Sequence, residues 1–134
     1  MKRKKKLLSI VTVVKNDVLN IEKTIKSIVS QKSKEIEYIV IDGKSNDGTT
    51  KIIKKYKKKI DVFKLEKDSG IYHAMNKGIK FSSGKYIGFC NSGDVITKNS
   101  IKILIKNLAS NTDILFATVK RHYLGKTIIK SGYN

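Results

Sequence analysis

Three aspartates in this chain follow apolar segments at points where a carboxylate could do chemistry. Asp42 comes directly after the run Ile39-Val40-Ile41, Asp68 opens Asp68-Ser69-Gly70, and Asp94 ends Asn91-Ser92-Gly93-Asp94. Carboxylates accept hydrogen bonds from ring and hydroxyl donors, and they are ligands that Mg²⁺ and Mn²⁺ prefer. The chain has only 11 acidic residues against 29 basic ones. Because aspartates are common in loops after strands, this placement favours a ligand site without identifying the ligand.

Helix capping is a simpler function for the polar residues that follow Asp42. Ser45 and Asp47 stand where the next helix is expected to begin. Short polar side chains at that point accept hydrogen bonds from free backbone N–H groups. We expect capping to be the main function of Asp47, whereas it accounts less readily for Asp42 and Asp94.

Alternating apolar and amphipathic segments must position these residues. Runs that are β-branched and almost continuously apolar are typical of buried parallel strands. Apolar residues three and four positions apart indicate helices that pack by one face. We expect strands at 7–14, 36–41, 60–65, 85–90, 113–119 and 126–129. The first four are each followed by a helix: the first is capped by Asp17 or Asn20 and carries Ile21, Ile25, Ile28 and Val29, and the second extends to about Lys58. The third has Ile71, Met75 and Ile79 on one face, and the fourth carries Ile101, Leu104, Ile105 and Leu108.

This alternation predicts an α/β fold, with a mostly parallel sheet and helices on both faces. Residues 1–6 form a basic tail, and residues 7–134 form one domain, since the sequence contains no repeat and no linker. Ligands of such sheets bind beyond the carboxyl ends of the strands. The strand-end acids are therefore expected to lie along one edge of the sheet.

Two common ways of binding a nucleotide are absent from the sequence. The first turn, Val14-Lys15-Asn16-Asp17, has no glycine, and the chain contains no Gly-x-x-x-x-Gly-Lys-Ser/Thr loop. A bound diphosphate would then need another counter-charge, and a divalent cation is the natural one. Asp94 is the strand-end carboxylate available to hold it.

The formal net charge of +18 raises the question of nucleic-acid binding. Only Arg3 and Arg121 are arginine, although nucleic-acid recognition favours the planar guanidinium. We therefore favour a lysine-rich composition without a nucleic-acid partner, and a surface that attracts anionic substrates or anionic lipid head groups. The single cysteine, Cys90, and the lack of a long apolar run predict a cytoplasmic protein, with the inner face of the membrane as a second place of contact.

Four segments in register resemble the nucleotide-binding half of family 2 glycosyltransferases, which have the Rossmann-like GT-A fold. The resemblance extends from about residue 7 to residue 119 and is nearest to bacterial enzymes of capsule, exopolysaccharide and O-antigen synthesis. It implies inverting transfer of a sugar from a nucleotide sugar, most often UDP-linked, to a saccharide or lipid-linked acceptor, with Mg²⁺ or Mn²⁺. The four segments are Val11-Thr12-Val13-Val14-Lys15-Asn16, residues 42–49, residues 68–78 and Asn91-Ser92-Gly93-Asp94.

The resemblance also implies a function for individual residues. Asp42 would accept a hydrogen bond from the nucleotide base, and Asp94 would ligate the cation that bridges the diphosphate. Asn76 and Lys77 would contact the donor or the acceptor, unless they only complete a helix. The remaining residues of the implied nucleotide site are Thr12, Val14, Asn16, Ser45, Asp68, Gly70 and Gly93.

Several positions depart from the family pattern. Gly93 and His73 stand where aspartate is frequent, and Phe116-Ala117-Thr118 replaces a polar strand end. Asp113 is the only acid after Asp94, and its expected place at the start of a strand does not suit a catalytic base. We therefore expect the acceptor half and the base to lie beyond Asn134. A nucleotide-binding module without activity, and a basic binder of nucleic acid or membrane, are the alternatives.

Overall fold

The computed structural model describes residues 5–108, 112–115, 119–123 and 125–130. Strands and helices alternate through the first of these ranges, as the sequence predicts. The elements are β1 (Leu8–Val14), α1 (Ile21–Val29), β2 (Ile36–Asp42), α2 (Thr49–Lys55), a 3₁₀ turn (Lys57–Lys59), β3 (Val62–Leu65), α3 (Ile71–Phe81), β4 (Tyr86–Phe89), α4 (Ser100–Leu108), β5 (Val119–Tyr123) and β6 (Lys126–Lys130).

The first four strands form one parallel sheet in the order β3-β2-β1-β4. β1 and β2 lie in the centre, and every residue of both strands is buried. Their register pairs Leu8 with Ile36 at one end and Val14 with Asp42 at the other. The carboxyl ends of the central strands therefore lie side by side, and the predicted α/β class is confirmed.

Helices cover both faces of this sheet, three on one face and one on the other. Ile10 and Tyr38 point to the face that is packed by Ile25 of α1, Ile53 of α2 and Ile101 of α4. The neighbouring strand residues point to the opposite face, where Ala74 of α3 completes a smaller core of Val11, Val13, Ile39 and Ile41. Burial on both faces explains why the central strands read as nearly continuous apolar runs.

The face of α3 that packs on the sheet is not the face that carries the isoleucines and was predicted to be buried. Ile71 and Ile79 are 52% and 45% exposed, whereas Ala74 and Gly78 are buried. A Cβ atom on Gly78 would stand 2.3 Å from Cγ1 of Val11. Small residues let the helix backbone approach the sheet closely, so the larger isoleucines turn outwards.

Of the last two predicted strands, 126–129 is confirmed as part of β6, whereas the strand predicted at 113–119 lies elsewhere. Residues 112–115 are not in a strand, residues 116–118 fall outside the described ranges, and β5 begins only at Val119. β5 and β6 pair antiparallel as a separate two-stranded sheet. Gly125, with φ +74°, lies in the turn between them. This hairpin does not extend the parallel sheet, although the sequence predicted one mostly parallel sheet.

No helix among the described residues is long and apolar enough to cross a membrane.

The close approach of α3 can be tested with Gly78→Ala. The added methyl group collides with Val11; overpacking costs about 1–3 kcal/mol, against the ~1 kcal/mol that alanine gains over glycine in a helix. We expect a net fall in the free energy of unfolding, measured by urea denaturation. Gly88→Ala is the control, because its Cβ would meet Leu8 at an ordinary 3.7 Å. A Gly78→Ala variant as stable as this control would contradict the packing of α3.

Candidate functional site

The loops after β1 and β2 are joined to each other at the carboxyl edge of the sheet. The Asn16 N–H donates to Oγ of Ser45 at 2.8 Å, and the Asn46 N–H donates to Oδ1 of Asn16 at 2.8 Å. Asn16 adopts a positive φ of 51°, a conformation that asparagine tolerates better than most residues. Asn16, predicted to bind the nucleotide, is exposed at this edge and also fixes two loops relative to each other.

Asp42 is enclosed by the loop that follows it. Its side chain is fully buried, and Oδ1 accepts hydrogen bonds from the N–H and the Oγ hydroxyl of Ser45 at 2.9 and 2.7 Å. Oδ2 accepts a short hydrogen bond from the Thr50 hydroxyl. The contact between Asp42 and a nucleotide base stays a prediction; in this structure both carboxylate oxygens accept hydrogen bonds from the chain itself. Ser45 is engaged in the same way and orders the loop.

Thr12 also lies inside the protein and not against a ligand. It is fully buried, its hydroxyl donates to the carbonyl of Cys90 at 2.7 Å, and it pairs with the Tyr38 hydroxyl at 3.0 Å. The Thr12 side chain is thus engaged within the protein, and the predicted place of Thr12 in the segment that lines the nucleotide stays a prediction. The Val14 side chain is buried as well, so only its backbone, whose carbonyl accepts from the Gly43 N–H at 2.9 Å, reaches the edge.

Burial controls the protonation of the groups beneath the site. It raises the pKa of the Cys90 thiol to about 12, with the nearby charge of Asp94 as a second cause. It also raises the pKa of Tyr38 above its usual value. Neither group exchanges a proton near neutral pH, so both are structural.

Asp47 orders the start of α2, as predicted. Its Oδ1 accepts from the N–H and the hydroxyl of Thr49 at 3.0 and 2.6 Å, and its Oδ2 accepts from the Val18 N–H at 3.1 Å. The Thr49 hydroxyl is the largest cause that lowers the pKa of Asp47. The N-cap itself is Gly48, with φ +104°, so the carboxylate acts from the position before the cap.

Asp68 presents a carboxylate oxygen at the edge of the sheet. The residue is half-buried, and its Oδ1 accepts from the Gly70 N–H at 3.0 Å. Its Oδ2 lies 2.3 Å from the point where a Cβ of Gly43 would stand. Gly70 is the N-cap of α3 and has φ +127°, which only glycine adopts without strain. The predicted Asp68–Gly70 loop thus lies against the end of β2.

The segment from Asn91 to Asp94 forms a turn that is fixed to α1. The Asp94 N–H donates to the Asn91 carbonyl at 2.9 Å. The Thr24 hydroxyl accepts from the Gly93 N–H at 3.0 Å and donates to the Asp94 carbonyl at 2.8 Å. Thr24 was not identified from the sequence, although its position three residues after Ile21 and four before Ile28 puts a hydroxyl on the apolar face of this helix.

The Asp94 side chain is exposed, and its carboxylate makes no hydrogen bond to the rest of the described chain. Asn91 was expected to hold this turn by side-chain hydrogen bonds, but its Oδ1 is buried with no partner among those residues. The described residues contain no group of three His, Cys, Asp or Glu side chains that could enclose a metal ion. The Asp94 carboxylate alone could hold a Mg²⁺ or Mn²⁺ ion only if that ion took most of its ligands from a diphosphate and water.

The two residues expected at the donor or acceptor lie on α3. Lys77 pairs with Glu66 at 3.2 Å and donates to the Lys67 carbonyl at 2.7 Å. Its ammonium group therefore has partners already, whereas Asn76 is exposed. Both line a hollow of about 370 Å³ together with Glu66, His73, Lys80 and Phe81.

The structural function of Asp42 can be tested with Asp42→Asn. The amide turns one acceptor oxygen into a donor that faces the Ser45 or Thr50 donors. We expect the free energy of unfolding to fall by about 1–3 kcal/mol, measured by urea denaturation. Asp68→Asn is the control, since its bond from Gly70 can be retained, and we expect a change within about 0.5 kcal/mol. Equal stability of both variants would contradict the enclosed carboxylate.

Comparison with known proteins assigns the family. The family model for glycosyl transferase family 2 matches residues 9–134. The poly(ribitol-phosphate) β-N-acetylglucosaminyltransferase TarP of Staphylococcus aureus is 30% identical over 132 residues, which cover 94% of this chain and 40% of TarP. WfaP of Escherichia coli, a UDP-Glc:α-D-GlcNAc-diphosphoundecaprenol β-1,3-glucosyltransferase, is 33% identical over 94% of this chain and 50% of its own length.

Solved structures agree with this assignment. The crystal structure of S. aureus TarS 1-349 in complex with UDP superimposes with a TM-score of 0.69 and 28% identity, over 77% of this chain and 32% of that one. The chain spans between about a sixth and a half of the length of the curated relatives it matches. By its sequence match and its fold, the chain belongs to glycosyl transferase family 2.

Proposed function

We propose that this chain is the donor-binding part of an enzyme that transfers a sugar from a UDP-linked donor to a saccharide or lipid-linked acceptor. The observation that carries this proposal is the turn from Asn91 to Asp94, which presents an exposed carboxylate. The turn follows a parallel strand in a family 2 domain. The UDP bound to TarS and the donor and acceptor in the name of WfaP support the choice of substrates.

Asp94 is the residue proposed to hold Mg²⁺ or Mn²⁺. A bound cation would neutralise the negative charge that develops on the departing nucleoside diphosphate. Gly93, with φ +96° and no side chain, leaves the backbone open beside that carboxylate. Thr24 holds the turn by two hydrogen bonds to its backbone, so the backbone that carries Asp94 is ordered before any ligand binds, which reduces the entropy lost on binding.

The surroundings suit an anionic donor. Lys15 is exposed directly after β1, and the net charge of +18 attracts anions over a distance of about 10 Å at 0.1 M salt. The linked loops of Asn16, Ser45 and Asp42 give the edge a fixed shape. Localisation at an anionic membrane surface, where lipid-linked acceptors are found, is consistent with the same charge.

Transfer with inversion also needs a base that removes the proton of the acceptor hydroxyl. The residues of this chain are proposed to bind and orient the donor, and the base is proposed to come from the part of the enzyme that binds the acceptor. The second candidate function is nucleotide binding without transfer. The 134 residues cover at most about half of the length of the matched relatives, which favours keeping this second function for the 134 residues alone.

The metal site is tested by the melting temperature with UDP and Mn²⁺. Ligand at 100 times its dissociation constant stabilises a protein by about 2.7 kcal/mol, so we expect a measurable rise for the wild type. Asp94→Asn should abolish the part of the rise that depends on Mn²⁺ and leave the melting temperature without ligand unchanged. Asp113→Asn, which alters another exposed acid, is the control and should behave as wild type. A full Mn²⁺-dependent rise in Asp94→Asn would show that another residue holds the ion.

The two candidate functions are separated by turnover. We expect the purified 134-residue chain to bind UDP-glucose or UDP-N-acetylglucosamine and to release UDP slowly by hydrolysis, because water can attack without an ordered acceptor. Transfer to a diphosphoundecaprenol-linked saccharide should stay below one product per protein molecule, measured with a radiolabelled donor. Repeated turnover on that acceptor would place the base within these 134 residues and reject the binding-only function.

A further inference from the structure

The segment between β4 and α4 presents Asp94 without the support of a strand or a helix. Residues 94–97 belong to neither kind of element, and the Asp94 side chain is exposed. Gly93, directly before it, has a positive φ of 96°, which permits several backbone arrangements at little cost. Such a segment presents a carboxylate in one place only if other parts of the protein hold its backbone.

A row of polar side chains from α1 lies against this segment. Thr24, Ser27 and Gln31 follow one another at spacings of three and four residues, which places them along one side of the helix and of the turn that ends it. The row runs beside the apolar face of α1, which packs against the sheet through Ile25. We call these three residues the polar row of α1.

The first two members of the polar row bind backbone groups of the segment. The Thr24 hydroxyl accepts from the Gly93 N–H at 3.0 Å and donates to the Asp94 carbonyl at 2.8 Å. The Ser27 hydroxyl donates to the Thr24 carbonyl at 2.8 Å and accepts from the Ile96 N–H at 3.1 Å. The backbone on both sides of Asp94 is therefore bonded to α1.

Gln31 extends the same pattern to the start of α4. Its Nε2 donates to the Thr97 carbonyl at 3.0 Å and to the Ile96 carbonyl at 3.4 Å. Its Oε1 accepts from the Ile101 N–H at 3.3 Å. The polar row thus contacts the chain from Gly93 to the first turn of α4, and it does so through backbone groups alone.

We propose that Thr24, Ser27 and Gln31 are positioning residues for the cation, and that they set its affinity through the backbone that carries Asp94. The inference rests on the proposed function, because it concerns the residue proposed to hold Mg²⁺ or Mn²⁺. Thr24 is fully buried, so it acts through the turn and not by contact with the donor. Groups that orient a metal ligand commonly change the affinity for the metal by about 10- to 100-fold.

The test compares the dissociation constants of UDP in Mn²⁺ and in EDTA, measured by isothermal titration calorimetry on the whole 134-residue chain. We call the gain in affinity with Mn²⁺ the Mn²⁺ ratio. Thr24→Val removes the hydroxyl and keeps the shape of the side chain, and we expect it to lower the Mn²⁺ ratio by about tenfold and to leave the affinity in EDTA unchanged. Thr24→Ser restores the hydroxyl and should restore the ratio.

A second variant removes a weaker part of the polar row. Ser27→Ala loses the bond from the Ile96 N–H, and we expect the Mn²⁺ ratio to fall by about threefold, as the loss of one hydrogen bond allows. Since alanine favours a helix, this variant should fold even if Thr24→Val does not. In the Asp94→Asn background, neither change should alter the ratio further, because both act through Asp94.

Ser9→Ala is the control for a loss of stability alone. The Ser9 hydroxyl is also buried and bonded, to Glu37 and the Gly84 N–H, but it lies at the start of β1 and not beside Asp94. We expect this variant to lose stability in urea and to keep the wild-type Mn²⁺ ratio. Amide hydrogen exchange without ligand gives an independent measurement: the Gly93 N–H should exchange faster in Thr24→Val, and the Ile96 N–H in Ser27→Ala.

The outcomes separate the inference from the proposed function. If the wild type does not bind UDP, or binds it equally in Mn²⁺ and in EDTA, the proposed cation site is wrong and this inference is rejected with it. If the wild type depends on Mn²⁺ but folded Thr24→Val and Ser27→Ala keep the full ratio, or Ser9→Ala lowers it as much, the polar row only stabilises the fold and the proposed function stands. A lower ratio in Thr24→Val that Thr24→Ser restores supports the positioning function.

Discussion

The buried carboxylate of Asp42 is the interaction on which the candidate site depends. A charge that is removed from water is costly unless donors surround it, and here the Ser45 N–H, the Ser45 hydroxyl and the Thr50 hydroxyl supply them. These bonds fix the loop after β2, and Ser45 in turn accepts from Asn16 in the loop after β1. One enclosed charge thus holds the two central loops in a single arrangement, on which a ligand can bind without first ordering the backbone.

The strands that carry these loops are themselves held in place, because both faces of the sheet are packed. Three helices cover one face, and α3 covers the other through small residues. The close contact of Gly78 with Val11 fixes α3 near the sheet, and the N-cap of α3 is Gly70, in the loop that carries Asp68. The position of the Asp68 carboxylate therefore depends on packing at the far end of the same helix.

The polar groups of the edge divide into those that hold the loops and those that face solvent. Asp42, Asp47, Thr12 and Thr24 all have hydrogen-bond partners in the protein. Asp68 and Asp94 each retain carboxylate oxygen that is accessible. Open carboxylate oxygens on a chain of net charge +18 stand out, because they are acceptor groups at this edge that the fold itself does not use.

The amino-acid sequence by itself determined the α/β class, the parallel central strands and the four loops at one edge, because burial on both faces and helix periodicity leave local patterns. The family was indicated by the resemblance of the four loop segments. The tertiary structure decided which carboxylates are open. Asp42 and Asp68 both follow strands, and only the placement of Ser45, Thr50 and Gly43 closes the first and exposes the second. It also decided the inner face of α3, where Ala74 and Gly78 pack in place of Ile71 and Ile79, because the distance between helix and sheet is set by contacts between residues far apart in the chain.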